Sequence, residues 1–265
     1  MTGSDYARLR WTFDEAAELY DRARPGYPDQ LFDELERLAA IGPGCRVLEI
    51  GCGTGKATVP LAERGCRVVA VELGEQMAAV ARRRLSRFDA VEVIRSVFED
   101  WPLPDERFDV VFSATAFHWI DPSVRVAKSA DALRPGGVLA TVSTEHVAGG
   151  TEEFFVGVQA CYERFDPTVE PGLTLAAADE IARDDGDLVD SGRFEPAAFR
   201  RFEWERAYSA REYRDVLLTY SGHRALSEPA RRGLLDCVVD LIDNRYGGTV
   251  VKRYLNELRV ARRIA

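Results

Sequence analysis

The stretch RVLEIGCGTGKA, residues 46–57, constrains this chain more than any other. An apolar, strand-forming run meets three glycines spaced two apart, at 51, 53 and 55, and a helical pattern, KATVPLAERG, that stops at Gly65. A strand that turns through glycines into a helix opens a βαβ unit. The rhythm then repeats. CRVVAVE is a second strand, GEQMAAVARRRLSRF a helix, VEVIRS and FDVVFSA two more strands, SVRVAKSADAL a helix and GGVLATVS a fifth strand. This alternation predicts an α/β fold built on a mostly parallel sheet with right-handed crossovers. Ligands of such sheets bind beyond the carboxyl ends of the strands, near the first, which is where the glycines lie.

The flanks read differently. Phe13, Ala16, Ala17 and Tyr20 form one helical stripe, and Leu31, Leu35 and Leu38 a second, separated by RPGYP. Beyond about residue 144, TEEFFVGVQACYERF, EYRDVLLTYSGH and ARRGLLDCVVDLID carry further helical stripes. AFRRFEWERAY alternates as a strand, with Phe202, Trp204, Arg206 and Tyr208 on one side. The last segment, VVKRYLNELRVARR, fits a helix by spacing and a closing strand by its place after YGG. The expected organisation is one domain over residues 1–265. Its core spans about 40–145, with closing strands near 198–208 and 249–262 and N-terminal helices in 12–39. Helical segments 146–192 and 209–247 are expected to cap the sheet's carboxyl edge.

A net charge of −9, with arginines interleaved among acids, argues against a nucleic-acid partner. No segment has the roughly 18 apolar residues of a membrane span, and the start carries no signal-peptide run, so a cytoplasmic setting is expected. Five cysteines without a CxxC pair fit reduced thiols better than a disulfide framework. Three scattered histidines, none in HExxH, predict no metal site.

What the glycines hold is decided by the acids beside them. A P-loop would need a glycine where Ile50 stands and a hydroxyl where Ala57 stands. A dinucleotide fingerprint, GxGxxG, is missed by one residue, since Gly51, Gly53 and Gly55 give GxGxG. Glu49, two residues before the first glycine, would repel a pyrophosphate and suit a cation. Glu72 ends the second strand about 20 residues on, where a carboxylate accepts from ribose hydroxyls. Acid, glycines and acid describe a nucleoside with positive charge and no phosphate, which S-adenosylmethionine matches.

At these residues the chain resembles the class I S-adenosylmethionine-dependent methyltransferases. VLEIGCGTG is similar to the first motif of that superfamily, VVAVELGEQM to the second, FDVVFSATAFHWID to the segment at strand four and LRPGGVLA to the turn into strand five. YDRARPGYP, FEDWPLP and AFHWID further resemble a bacterial small-molecule branch, near the trans-aconitate methyltransferase-like proteins. The resemblance implies a Rossmann-like, seven-stranded sheet with helices on both faces. It also implies transfer of a methyl group to an oxygen, carbon or nitrogen of a small molecule by a monomer or homodimer. Glu49, Gly51, Cys52, Gly53 and Gly55 would line the methionyl part, Glu72 the ribose, and Leu73 and Met77 the adenine side. Val97 and Phe98 stand where many relatives have an Asp-Ala pair, so adenine contact there would be apolar and through backbone. Ser113 would follow the methionyl chain, and Tyr20 and Arg24 would close over the cofactor's carboxylate. His118 is the candidate general base, or else a residue packed on Trp119. Trp11, Trp119 and His146 are candidate walls of the acceptor pocket. A nicotinamide-dependent oxidoreductase and a non-catalytic protein that binds the same cofactor are the alternatives.

Overall fold

Strand pleating decides what covers each face of the sheet, because successive side chains point to opposite sides. In the computed structural model, which describes residues 9–166 and 168–264, strand β1 is Arg46–Ile50. Its Val47 joins one buried cluster with Leu31, Phe32 and Leu35, while Leu48 and Ile50 join another with Val126 and Ala130. The first set of partners belongs to helix α2 (Asp29–Ala39), which follows α1 (Ala17–Ala23). The core then runs α3 (Thr58–Glu63), β2 (Arg67–Glu72), α4 (Glu75–Leu85), β3 (Val91–Arg95), β4 (Phe108–Ala114), α5 (Pro122–Ala132) and β5 (Leu133–His146). Val126 and Ala130 lie on α5, so helices cover both faces.

Seven strands form one sheet in the order β3-β2-β1-β4-β5-β7-β6. The first five pair in parallel; β7 (Thr249–Arg262) lies antiparallel between β5 and β6 (Ala198–Ser209). The closing segment is therefore a strand. Its alternation buries Val250, Lys252, Tyr254, Asn256, Leu258 and Val260, and pairing on both edges satisfies its backbone.

The C-terminal helices differ from expectation in place and extent. Helices α6 (Glu152–Gly157), α7 (Gln159–Phe165), α9 (Ala210–Leu217) and α11 (Glu228–Arg245) share an apolar cluster with Tyr208, Val250 and Tyr254, and α10 is Ser221–Ala225. The cap thus sits on the β6–β7 edge and reaches α1 at Ala23, rather than covering the whole carboxyl edge. Residues 168–185 contain no helix, and the short α8 (Gly186–Asp190) belongs to the other side of the sheet. There Leu188 and Phe194 pack with Val126 and Ala130.

The cysteine expectation also needs correcting. Cys161 on α7 and Cys237 on α11 are disulfide-bonded, with Cα atoms 5.9 Å apart, while Cys45, Cys52 and Cys66 are free. Helical stripes brought these two side chains together; spacing in the sequence carried no sign of it.

Leu258 is fully buried where β7 meets α2's cluster. Leu258→Ala should cost about 2–5 kcal/mol of unfolding free energy in urea titrations. A loss under about 1 kcal/mol would mean that β7 is not an integral strand.

Candidate active site

Three strand ends converge on one cavity, with about 1040 Å³ of empty space counting its open mouth. Glu49, Gly51, Cys52, Gly53, Glu72, Leu73, Met77, Val97, Phe98, Tyr20 and Trp119 all line it. The remaining candidates do not.

Glu49 sits one residue from the end of β1, which runs between β2 and β4, and is 1% exposed. Its Oε2 is buried with no hydrogen-bond partner. Burial, reinforced by the charge of Glu72, pushes its carboxyl up to about 7. Glu72, the last residue of β2, is better satisfied. One carboxylate oxygen accepts from the Gly53 N–H at 2.8 Å, the other from the Gly74 N–H at 2.9 Å. Burial raises its pKa, and those two backbone donors oppose the rise.

The glycines have separate tasks. Gly51 takes φ +69°, and a Cβ there would fall 2.5 Å from that of Ala116, so the β1 and β4 loops meet closely only because it has none. Gly53, at φ +57°, turns its N–H to Glu72. Gly55 faces Leu85 of α4 instead, so it shapes the loop without lining the cavity.

Other candidates lie elsewhere. Ser113 is fully buried and donates to the Ile50 carbonyl at 2.9 Å, tying β4 to β1. Arg24 points to Thr219, donating from Nε to its hydroxyl at 2.7 Å. His118 packs against Trp119, ring centroids 4.9 Å apart, outside the lining. Trp11 is 45% exposed and also outside it. His146, at the end of β5, packs edge-on to Phe155 of the cap at 4.4 Å.

Two contributors carried no signal in the sequence. Thr115 has φ +55°, rare for a threonine, and lies just beyond β4. Its hydroxyl stands 3.0 Å from both the Tyr27 hydroxyl and the Thr144 hydroxyl, and Tyr27 and Thr115 line the cavity. Asp14 Oδ1 accepts from the backbone N–H of Gln76 and Met77, capping α4 from a segment 62 residues away. That bond draws Phe13 across the cavity, where it meets Trp119 at 5.4 Å and Tyr20 at 6.2 Å.

The cavity holds two buried carboxylates, Glu49 and Glu72. Its two lining cations are engaged: Arg10 pairs with Glu99 at 2.6 Å, and Lys56 donates to the Asp21 carbonyl at 2.7 Å. A cation beside Glu49 and hydroxyl donors beside Glu72 suit this arrangement; a pyrophosphate does not.

Residues 48–141 match the family model described as a methyltransferase domain. The strand order is Rossmann-like, and over residues 48–141 the core is similar to methyltransferase domains. The chain is 41% identical over 131 residues to an uncharacterized methyltransferase of Mycobacterium tuberculosis, covering 49% of this chain and 51% of that protein. It is 34% identical over 131 residues to a demethylmenaquinone methyltransferase of Clavibacter sepedonicus, covering 47% and 53%. A malonyl-[acyl-carrier protein] O-methyltransferase of Serratia marcescens is 35% identical over 140 residues, covering 51% and 49%. The chain thus spans about half the length of these curated relatives. Among solved structures, a putative type II methyltransferase of Anaeromyxobacter dehalogenans shares the fold with TM-score 0.61 and 24% identity, covering 90% of this chain and 97% of that one. Phosphoethanolamine N-methyltransferase 2 of Haemonchus contortus, in complex with phosphomonomethylethanolamine and S-adenosylhomocysteine, shares it with TM-score 0.56 and 20% identity, covering 100% and 61%.

Between its ordinary value of 4.5 and about 7, Glu49 keeps a proton in the folded chain that the unfolded chain has released. Its burial penalty is therefore absent at low pH and complete above pH 7. Glu49→Gln should be more stable than wild type at pH 8, by about 3 kcal/mol at most, with the advantage fading toward pH 4.5. Urea melts of the ligand-free proteins across that range would show it. Parallel pH profiles would mean that Glu49 is not held in this way.

Proposed function

We propose that this chain transfers a methyl group from S-adenosylmethionine to an oxygen, carbon or nitrogen of a small molecule. The unpartnered, buried carboxylate oxygen of Glu49 carries the reading, because a buried carboxylate oxygen left without a protein donor suits a cationic ligand. When bound, S-adenosylmethionine supplies a methyl group already activated by its sulfonium sulfur. Glu49 balances the positive charge of the methionyl part. Glu72, fixed by Gly53 and Gly74, keeps lone pairs for the ribose hydroxyls. Leu73, Met77, Val97 and Phe98 offer the adenine an apolar slot. Phe13, Tyr20 and Trp119 shield the cavity from water and restrict the acceptor's approach.

With an activated donor, alignment supplies most of the rate, so no general base is assigned; His118 lies outside the lining. The same reading takes all 265 residues as one methyltransferase domain, acting as a monomer or homodimer on a small molecule rather than nucleic acid, for which a charge of −9 speaks. It also places the chain in the cytoplasm, a setting for which the Cys161–Cys237 disulfide is unusual. Among the described residues no helix is long and apolar enough to cross a membrane. The acceptors in the relatives' names, a demethylmenaquinone and a malonyl-[acyl-carrier protein], differ too widely to indicate one for this chain.

Calorimetric titration with S-adenosylmethionine, S-adenosylhomocysteine and NAD tests the cofactor. Binding of the first two, weakened about 10- to 100-fold in Glu72→Ala, is expected. NAD binding alone would overturn the reading in favour of a nicotinamide enzyme. Cofactor binding without methyl transfer to any of a panel of small nucleophiles would leave a non-catalytic binding protein.

A further inference from the structure

Tyr20 lines the cavity, and it is also the first member of a cationic cluster behind it. The Arg24 guanidinium lies 5.3 Å from the Tyr20 ring centroid and 4.0 Å from that of Tyr220. The Lys252 ammonium lies 5.1 Å from the Tyr220 centroid and 5.0 Å from that of Tyr254. It donates to the Tyr220 hydroxyl at 2.9 Å. Arg24 donates to the hydroxyl of Thr219 at 2.7 Å and to its carbonyl at 3.2 Å. None of these partners is a carboxylate.

Cations elsewhere in the interior are treated differently. Arg10 pairs with Glu99, Arg201 with Glu257 and Arg259 with Asp187, all within 2.7 Å. Lys252 is 3% exposed, on a β7 face otherwise made of Val250, Tyr254, Asn256, Leu258 and Val260. An apolar residue would satisfy packing there, whereas a buried ammonium with no anion is costly. His146, opposite Tyr254 in the β5–β7 register, has a buried Nε2 with no hydrogen-bond partner. Burial, then the charge of Lys252, holds its imidazole down at about 3, so it is neutral. At Tyr220, burial pushes the phenol up, but Lys252 and Arg24 outweigh it and the net shift is downward. This is a field that favours negative charge.

A polar line joins the cavity to the same face of β7. It runs from Tyr27 to Thr115 and Thr144, then to Asn256, whose Nδ2 donates to the Thr144 hydroxyl at 2.7 Å. Asn256 in turn accepts from Trp204, which stacks on Tyr254 at 4.7 Å.

We infer that Lys252 and Arg24, gathered on Tyr220, form a subsite for an oxyanion of the methyl acceptor. That group, a carboxylate or a phosphate, is an anchor and not the atom methylated. Beyond the cavity it sets which acceptor is taken, while Glu49 and Glu72 repel the same charge from the cofactor's place. The inference rests on the methyltransferase reading of the adjacent cavity.

The test uses the full chain saturated with S-adenosylhomocysteine, titrated calorimetrically with inorganic phosphate, succinate and the neutral succinamide. One of the two anions should bind and succinamide should not; which anion binds separates phosphate from carboxylate. Lys252→Met and Arg24→Gln should each weaken that binding at least ~10-fold. Lys252→Arg should restore most of it, and Tyr220→Phe, which keeps both charges, should cost less. S-adenosylhomocysteine affinity should stay within about twofold in every variant, which also reports on folding. S-adenosylhomocysteine binding with no anion binding, or anion binding that survives both charge removals, overturns the subsite alone. Failure of S-adenosylhomocysteine itself to bind wild type would remove the methyltransferase reading and the anchor with it.

Discussion

Two carboxylates are held out of water at the ends of neighbouring parallel strands, and the cavity is organised around that cost. Glu72 is stabilised by backbone N–H groups from both loops, so the β1 and β2 turns are fixed to one another through its side chain. Glu49 has no such relief at Oε2. The glycine loop is bare because it must bring N–H groups to one acid and leave room beside the other. No phosphate is called for.

The surrounding elements follow from that arrangement. Asp14 caps α4 from the N-terminal segment, so the chain before α1 lies over the cavity by a defined bond rather than by chance contact. Ser113 ties β4 to β1, and Thr115 beyond it adopts a left-handed backbone to bridge Tyr27 and Thr144. The cap stands apart, built on β6 and β7 with its own apolar cluster and the Cys161–Cys237 bond. The cavity and the cap are thus built by different parts of the molecule.

Legibility in the sequence followed the range of the interactions. Glu49, Gly51, Gly53 and Glu72 fall within one βαβ unit, so local spacing sufficed to bring them to one cavity. Ser113, Arg24 and His118 were placed by position beside strands or helices, and position does not tell where a side chain turns. Ser113 turned to a carbonyl, Arg24 to the cap and His118 to Trp119. Asp14 and Thr115 could not be found at all, since their partners lie 62 and 29 residues away in the chain.

The sequence by itself determined the parallel core, the glycine turn and the acidic character of its ligand site, because strand pleating, βαβ handedness and the placing of two acids at strand ends are short-range rules. Only the tertiary structure decided that the last segment is a strand. Its spacing suited either element, and pairing with β5 and β6 along both edges settled the matter. The same pairing buried Lys252 beside Arg24, 228 residues apart in the chain, and gathered two cations around Tyr220. No local pattern encodes such a meeting, because the energy that enforces it is the packing of the whole sheet against its cap.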